Sequence, residues 1–164
     1  MIEVNNLTTI RVDERFLKKV AEKVLKGEKA KKDIELSIAL VKPERMREIN
    51  KNYRKRNKAT DVLAFPELKK IKISPKRKAQ NLGEIIICPS QVKKNIKRFN
   101  STFKKEIARV LIHGILHLLG YDHEKPKRKA KKMEEKQQYY FKQLAILLCL
   151  EEISLLGLIL ARAA

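Results

Sequence analysis

The sequence predicts an α+β domain in which a small four-stranded mixed sheet packs with about five helices. Two observations predict it. Helical and strand periodicities alternate along the chain without a regular βαβ repeat. The chain has 164 residues, of which 43% are hydrophobic, with five Gly and five Pro. That suits one domain with a real core and excludes a fibrous or wholly disordered chain. Trp is absent and aromatics reach only 5%, so Leu, Ile and Val must build most of the interior.

The elements follow in order. Ile2 to Asn5 opens a short strand. Over residues 11–26, Val12, Phe16, Val20 and Val24 recur about four apart, which makes one helical stripe, stopped by Gly27. Residues 33–41 alternate Ile34, Leu36, Ile38 and Leu40, the pattern of a half-buried strand. Pro43 suits the first turn of a helix running to Tyr53. The basic run Arg54 to Lys58 is a loop. Residues 61–65 read as a strand closed by Pro66, residues 67–82 as a basic linker, and residues 83–88 as a buried strand closed by Pro89. That proline opens a helix through Phe99. Asn100 and Ser101 are candidate caps for the next helix, 102–119, which Gly120 ends. A charged helix follows from Lys127 into the 140s.

The domain is placed at 1–145, with 146–164 a separate apolar tail. The tail approaches the 20 or so apolar residues of a bilayer span, but Glu151 and Glu152 fall near its middle. It is expected to be a helix that docks or self-associates, or a partly disordered end, and no membrane partner is expected.

Lys and Arg number 39 against 19 Asp and Glu, a net charge of +20. The surplus is spread: residues 31–60 hold ten basic and four acidic side chains, residues 91–120 seven and one. The positive surface therefore belongs to the folded body. It points to nucleic acid or an anionic surface as partner. The same surplus also suits the solvated, lysine-rich surface of a hyperthermophile. Cys88 and Cys149 form no CxxC, and no basic start precedes an apolar run. A reduced, cytoplasmic chain is expected.

All three histidines lie in HGILHLLGYDH: His113, His117 and His123. His113 and His117 are four apart, so a helix projects them from one face, one turn apart. Gly120 can turn the chain so that His123 swings back. Three neutral imidazoles would hold one Zn2+ ion and leave the fourth tetrahedral position open, a catalytic arrangement. Phe103, Ile107, Val110, Leu111, Gly114 and Leu118 cluster on one face, with the two histidines at its edge. A lone histidine there is most simply a satisfied core residue; three at metal spacing are a zincin-like metal helix. The spacing equals the metzincin protease pattern, but Gly114 stands where those proteases carry the glutamate base.

Three stretches carry a family resemblance: HGILHLLGYDH (113–123), INKNYRKRNKATDVLAFP (49–66) and LGEIIICP (82–89). The chain resembles the YbeY family of bacterial rRNA maturation factors, metal-dependent endoribonucleases, over residues 1–145. The resemblance implies a four-stranded α+β fold, zinc on His113, His117 and His123, and a functional arginine at Arg54. It also implies small-subunit rRNA processing and ribosome quality control. The partners it implies are rRNA, the small ribosomal subunit, and with them ribosomal proteins or a ribosome-assembly GTPase. Two positions depart from the family pattern: Ala64 replaces a serine, and Lys55 replaces the glycine after the arginine.

The expected function is thus a zinc-dependent, single-strand-specific endoribonuclease, with Arg54 clamping a phosphate. The nucleophile is either water or the RNA 2′-hydroxyl. Two alternatives stand beside it: a zinc peptidase of metzincin-like spacing, and a non-catalytic ribosome-assembly factor with a structural metal. Thr60, Asp61, Glu106, Tyr121, Asp122 and Glu124 are secondary candidates. Asp61 would cap a turn or orient an arginine, and Glu106 would either support a ligand or lie on the surface.

Overall fold

The computed structural model describes residues 1–31, 33–67, 80–122 and 130–146. Four strands and four helices run in the order β1 (Ile2–Asn6), α1 (Glu14–Gly27), β2 (Ile34–Leu40), α2 (Pro43–Arg54), β3 (Val62–Pro66), β4 (Gln80–Ile87), α3 (Pro89–Phe99) and α4 (Phe103–Leu118). A fifth helix, α5, spans 130–146. The sheet order is β1-β2-β4-β3. β1, β2 and β4 run parallel, and β3 is antiparallel at the edge. This is the expected mixed sheet.

Strand alternation divides the interior into two unequal cores. Leu36, Ile38, Leu40, Ile85 and Ile87 point to a large core shared with α1 and α4. Ile86, Leu63 and Cys88 point the other way, to a small core under Met46 and Ile49 of α2. Period-two side-chain placement on the strands produces both. Met133, Tyr140 and Leu144 of α5 join the large core.

Several local expectations are corrected. α1 starts at Glu14, because the Asp13 carboxylate accepts the Phe16 N–H at 2.9 Å and caps the helix there. α1 does end at Gly27, as expected, but Gly27 is its last helical residue and the left-handed residue beyond the end is Lys29 (φ +54°). The α4 cap is Thr102, whose side chain accepts the Lys105 N–H. Asn100, at φ +44°, instead ends α3. β4 begins at Gln80 rather than residue 83, with a register shift that skips Leu82. Gly83 follows this bulge at φ +123°, where a Cβ would collide with the backbone of Phe65 and Pro66. The glycine of the third motif is thus required by strand geometry.

α4 is buried nearly all round, not on one face. Ala108, Ile112, Ile115 and Leu116 are as buried as the predicted stripe. The helix lies on the sheet through Gly114, where a Cβ would stand 3.0 Å from Ile85 Cγ2. α1, α3 and α5 enclose its other sides: α1 shares the large core with it, and α5 supplies a partner to His113. Among the described residues, no helix is long and apolar enough to cross a membrane. The tail from residue 147 lies outside the described residues.

Candidate metal centre and cleft

His113 and His117 stand in the last turns of α4, half-buried at the edge of the core. Their Nε2 atoms converge to 3.1 Å. Each ring is anchored through its other nitrogen. His117 Nδ1 lies 3.1 Å from the main-chain oxygen of Tyr121. A carbonyl only accepts, so His117 carries its proton on Nδ1. His113 Nδ1 lies 2.8 Å from Gln137 Oε1 of α5 and donates in the same way. These bonds set the tautomers and leave both Nε2 atoms as electron-pair donors toward one point.

That donor set fits a metal. Two imidazoles bound to one tetrahedral zinc at roughly 2.0–2.1 Å would have nitrogens about 3.3 Å apart, and the observed separation is close to it. His123 lies outside the described residues, as does Glu124. Among the described residues no group of three potential ligands is gathered; the structure brings together two of the three predicted histidines.

A cleft of about 520 Å3 opens over the imidazoles. One wall is His113, Gly114 and His117, with Asp122 beside them. The facing wall is Arg54 at the end of α2, the loop after it with Arg56 and Lys58, and then β3. Arg54 is therefore in the same cleft as the histidines, exposed at the end of α2. Lys55 is left-handed at φ +58°, which explains why a glycine suits that position in the family pattern. Asn50, 3% exposed, fastens this loop. Its side-chain amide donates to Lys58 O at 2.7 Å, and its main-chain carbonyl accepts the N–H groups of Lys55 and Arg56.

The secondary candidates resolve differently. Asp61 caps a turn: Oδ1 accepts from Val62 N–H and the Thr60 hydroxyl, and Oδ2 accepts from Asn95 of α3. Glu106 is not a surface residue. It is fully buried, 3.4 Å from the Arg109 guanidinium. Tyr121 is half-buried against the large core, and its hydroxyl donates to Glu28 at 2.6 Å.

Sequence reasoning missed Gln137, Asn50 and Glu28. Glu28 accepts from Tyr121, Tyr140 and Lys136. Burial alone would raise its carboxyl, but those three hydrogen bonds outweigh burial and hold it below the usual carboxylate value. Burial and the bond to Glu28 push the Tyr121 hydroxyl up to about 12, so it stays a donor at neutral pH. Gln137 and Glu28 lie far from the motif in sequence, so no local spacing marks them.

A mixed sheet over a helix that offers two converging imidazoles to a basic cleft defines a small α+β domain with a histidine-lined site. A family model described as Endoribonuclease YbeY matches residues 3–145. The Thermotoga maritima Endoribonuclease YbeY is 38% identical over 128 residues, 78% of each chain. The Sulfurihydrogenibium sp. protein of the same name is 41% identical over 133 residues, covering 81% of this chain and 84% of that one. The Petrotoga mobilis protein is 37% identical over 144 residues, 87% and 94%. The solution structure of TM1509 from Thermotoga maritima aligns with a TM-score of 0.58 at 35% identity, over 87% of each chain. The chain belongs to the YbeY family of endoribonucleases, and the peptidase alternative falls with that assignment.

Proposed function

We propose that this endoribonuclease is zinc-dependent and cuts single-stranded rRNA during small-subunit maturation and ribosome quality control, with His113, His117 and His123 as the zinc ligands. The observation that carries the reading is the pair of Nε2 atoms 3.1 Å apart, each ring fixed through Nδ1. Zinc bound there supplies Lewis acidity toward a phosphodiester. Arg54 binds the scissile phosphate through paired N–H donors and stabilises the charge that builds on its oxygens. Arg56 and Lys58 extend the cationic wall along the RNA backbone. Such contacts make affinity salt-dependent and weakly sequence-selective. The RNA partner is the small-subunit rRNA, in the cytoplasm, with ribosomal proteins or an assembly GTPase nearby. Residues 1–145 form the catalytic domain and 146–164 an accessory tail.

The test is cleavage of single-stranded rRNA and of casein by the full chain, before and after zinc is stripped by a chelator. RNA cutting that disappears on stripping and returns with zinc is expected. Undiminished cutting by the stripped protein overturns the metal dependence. Casein hydrolysis without RNA cleavage overturns the substrate.

A further inference from the structure

We propose that Glu28, just past the end of α1, is a positioning residue for the paired imidazoles. It ties together the two segments whose oxygens hold them. The proposal rests on the reading that His113 and His117 bind metal.

The connections run through both carboxylate oxygens. Oε2 accepts the Tyr121 hydroxyl at 2.6 Å. The main-chain oxygen of that same Tyr121 holds His117 Nδ1. Oε1 accepts the Tyr140 hydroxyl at 2.6 Å and the Lys136 ammonium at 2.8 Å. Lys136 and Tyr140 are one turn apart on α5, and Gln137, which holds His113 Nδ1, lies between them. One side chain therefore fixes the loop that orients the first ring and the helix that orients the second.

A simple helix-end carboxylate would need one partner and would sit in water. The Glu28 side chain is 9% exposed and has three donors, 93 to 112 residues away in sequence. A second observation concerns its neighbour. At Gly27 a Cβ would come within 2.7 Å of Tyr140 Cε1. A side chain at residue 27 would force that ring, whose hydroxyl meets Glu28, to shift. The glycine read as a helix stop thus serves the close approach of α5.

Outer groups that orient metal-binding imidazoles typically contribute about 10–100-fold in affinity. Glu28 acts one bond further out, but on both rings. The experiment is a zinc competition titration against a chromophoric chelator. The visible spectrum of the cobalt-loaded protein and the melting temperature of the stripped protein accompany it. Glu28→Ala is expected to weaken zinc about tenfold or more and to shift the cobalt bands. Glu28→Gln keeps one acceptor oxygen and recovers part of the loss. Tyr121→Phe keeps the ring and main chain, and weakens zinc with little change in the stripped protein's melting. Wild-type zinc affinity and cobalt bands in Glu28→Ala, with only the stripped melting lowered, overturn the proposal. Should Glu28→Ala fail to fold, wild-type affinity in both Glu28→Gln and Tyr121→Phe overturns it. A wild-type chain that takes up neither metal overturns the metal reading first, and this proposal with it.

Discussion

The two walls of the cleft are built in opposite ways. The imidazole wall belongs to α4, which is buried on nearly every side, and each ring is held through its second nitrogen. The arginine wall is the exposed end of α2 and the loop after it, fastened mainly through Asn50 and an Arg47–Asn57 hydrogen bond. On the proposed reading the metal ligands stand on a rigid helix, which suits them because coordination geometry must be fixed. On the same reading the cations of the other wall, proposed to track an RNA backbone, sit on an exposed and adjustable loop. Burial is therefore concentrated on the imidazole wall, and exposure on the arginine wall.

Breaking the rigid wall has the largest expected effect. His113→Ala or His117→Ala should abolish stoichiometric zinc binding and reduce RNA cleavage to background, measured by metal analysis and a cleavage assay. Breaking the other wall should separate the two functions. Arg54→Ala is expected to slow cleavage by about 10²–10³-fold while zinc stoichiometry stays at wild type. Arg54→Lys should recover only part, because a single ammonium cannot make paired N–H contacts. Loss of zinc in Arg54→Ala would erase the distinction between the walls.

Smaller effects sharpen it. Gln137→Leu removes the acceptor from His113 and should weaken zinc by about 10–100-fold in a competition titration. The Glu28 network adds a pH signature. Its carboxyl is lowered in the folded protein, so its contribution to stability is present above the ordinary value of 4.5 and is lost as pH falls through the lowered one. The melting-temperature gap between wild type and Glu28→Gln should accordingly close on acidification. The smallest effect lies on the soft wall. Lys55→Gly relieves a left-handed lysine worth about 1 kcal/mol and should raise the melting temperature by roughly 2–4 °C, with zinc affinity unchanged.

Much of this was legible in the sequence, for physical reasons. Period-two alternation identifies β2 because one of its faces is buried, and the apolar run identifies β4 because its two faces meet the two cores. Prolines at 43 and 89 mark the starts of α2 and α3 as their missing N–H requires. The i,i+4 spacing of His113 and His117 gives their shared direction before any fold is known. What was hidden depends on contacts between distant segments. Glu106 looked like an outward-facing residue until α4 proved to be enclosed. Gln137 and Glu28 carry no local pattern, since they matter only once α5 and α1 meet beside α4. The cap of α4 was misplaced because Asn100, Ser101 and Thr102 are all plausible caps. Asn100 is taken by the left-handed end of α3.

The central claim is that His113 and His117 share one metal with a position left open. Zinc K-edge absorption on the zinc-loaded full chain tests it most directly. One zinc per chain is expected, with three imidazole nitrogens at roughly 2.0–2.1 Å and one further oxygen, and with one imidazole lost in His113→Ala. A sulfur ligand, a shell closed by four protein ligands, or an unchanged shell in His113→Ala would contradict it.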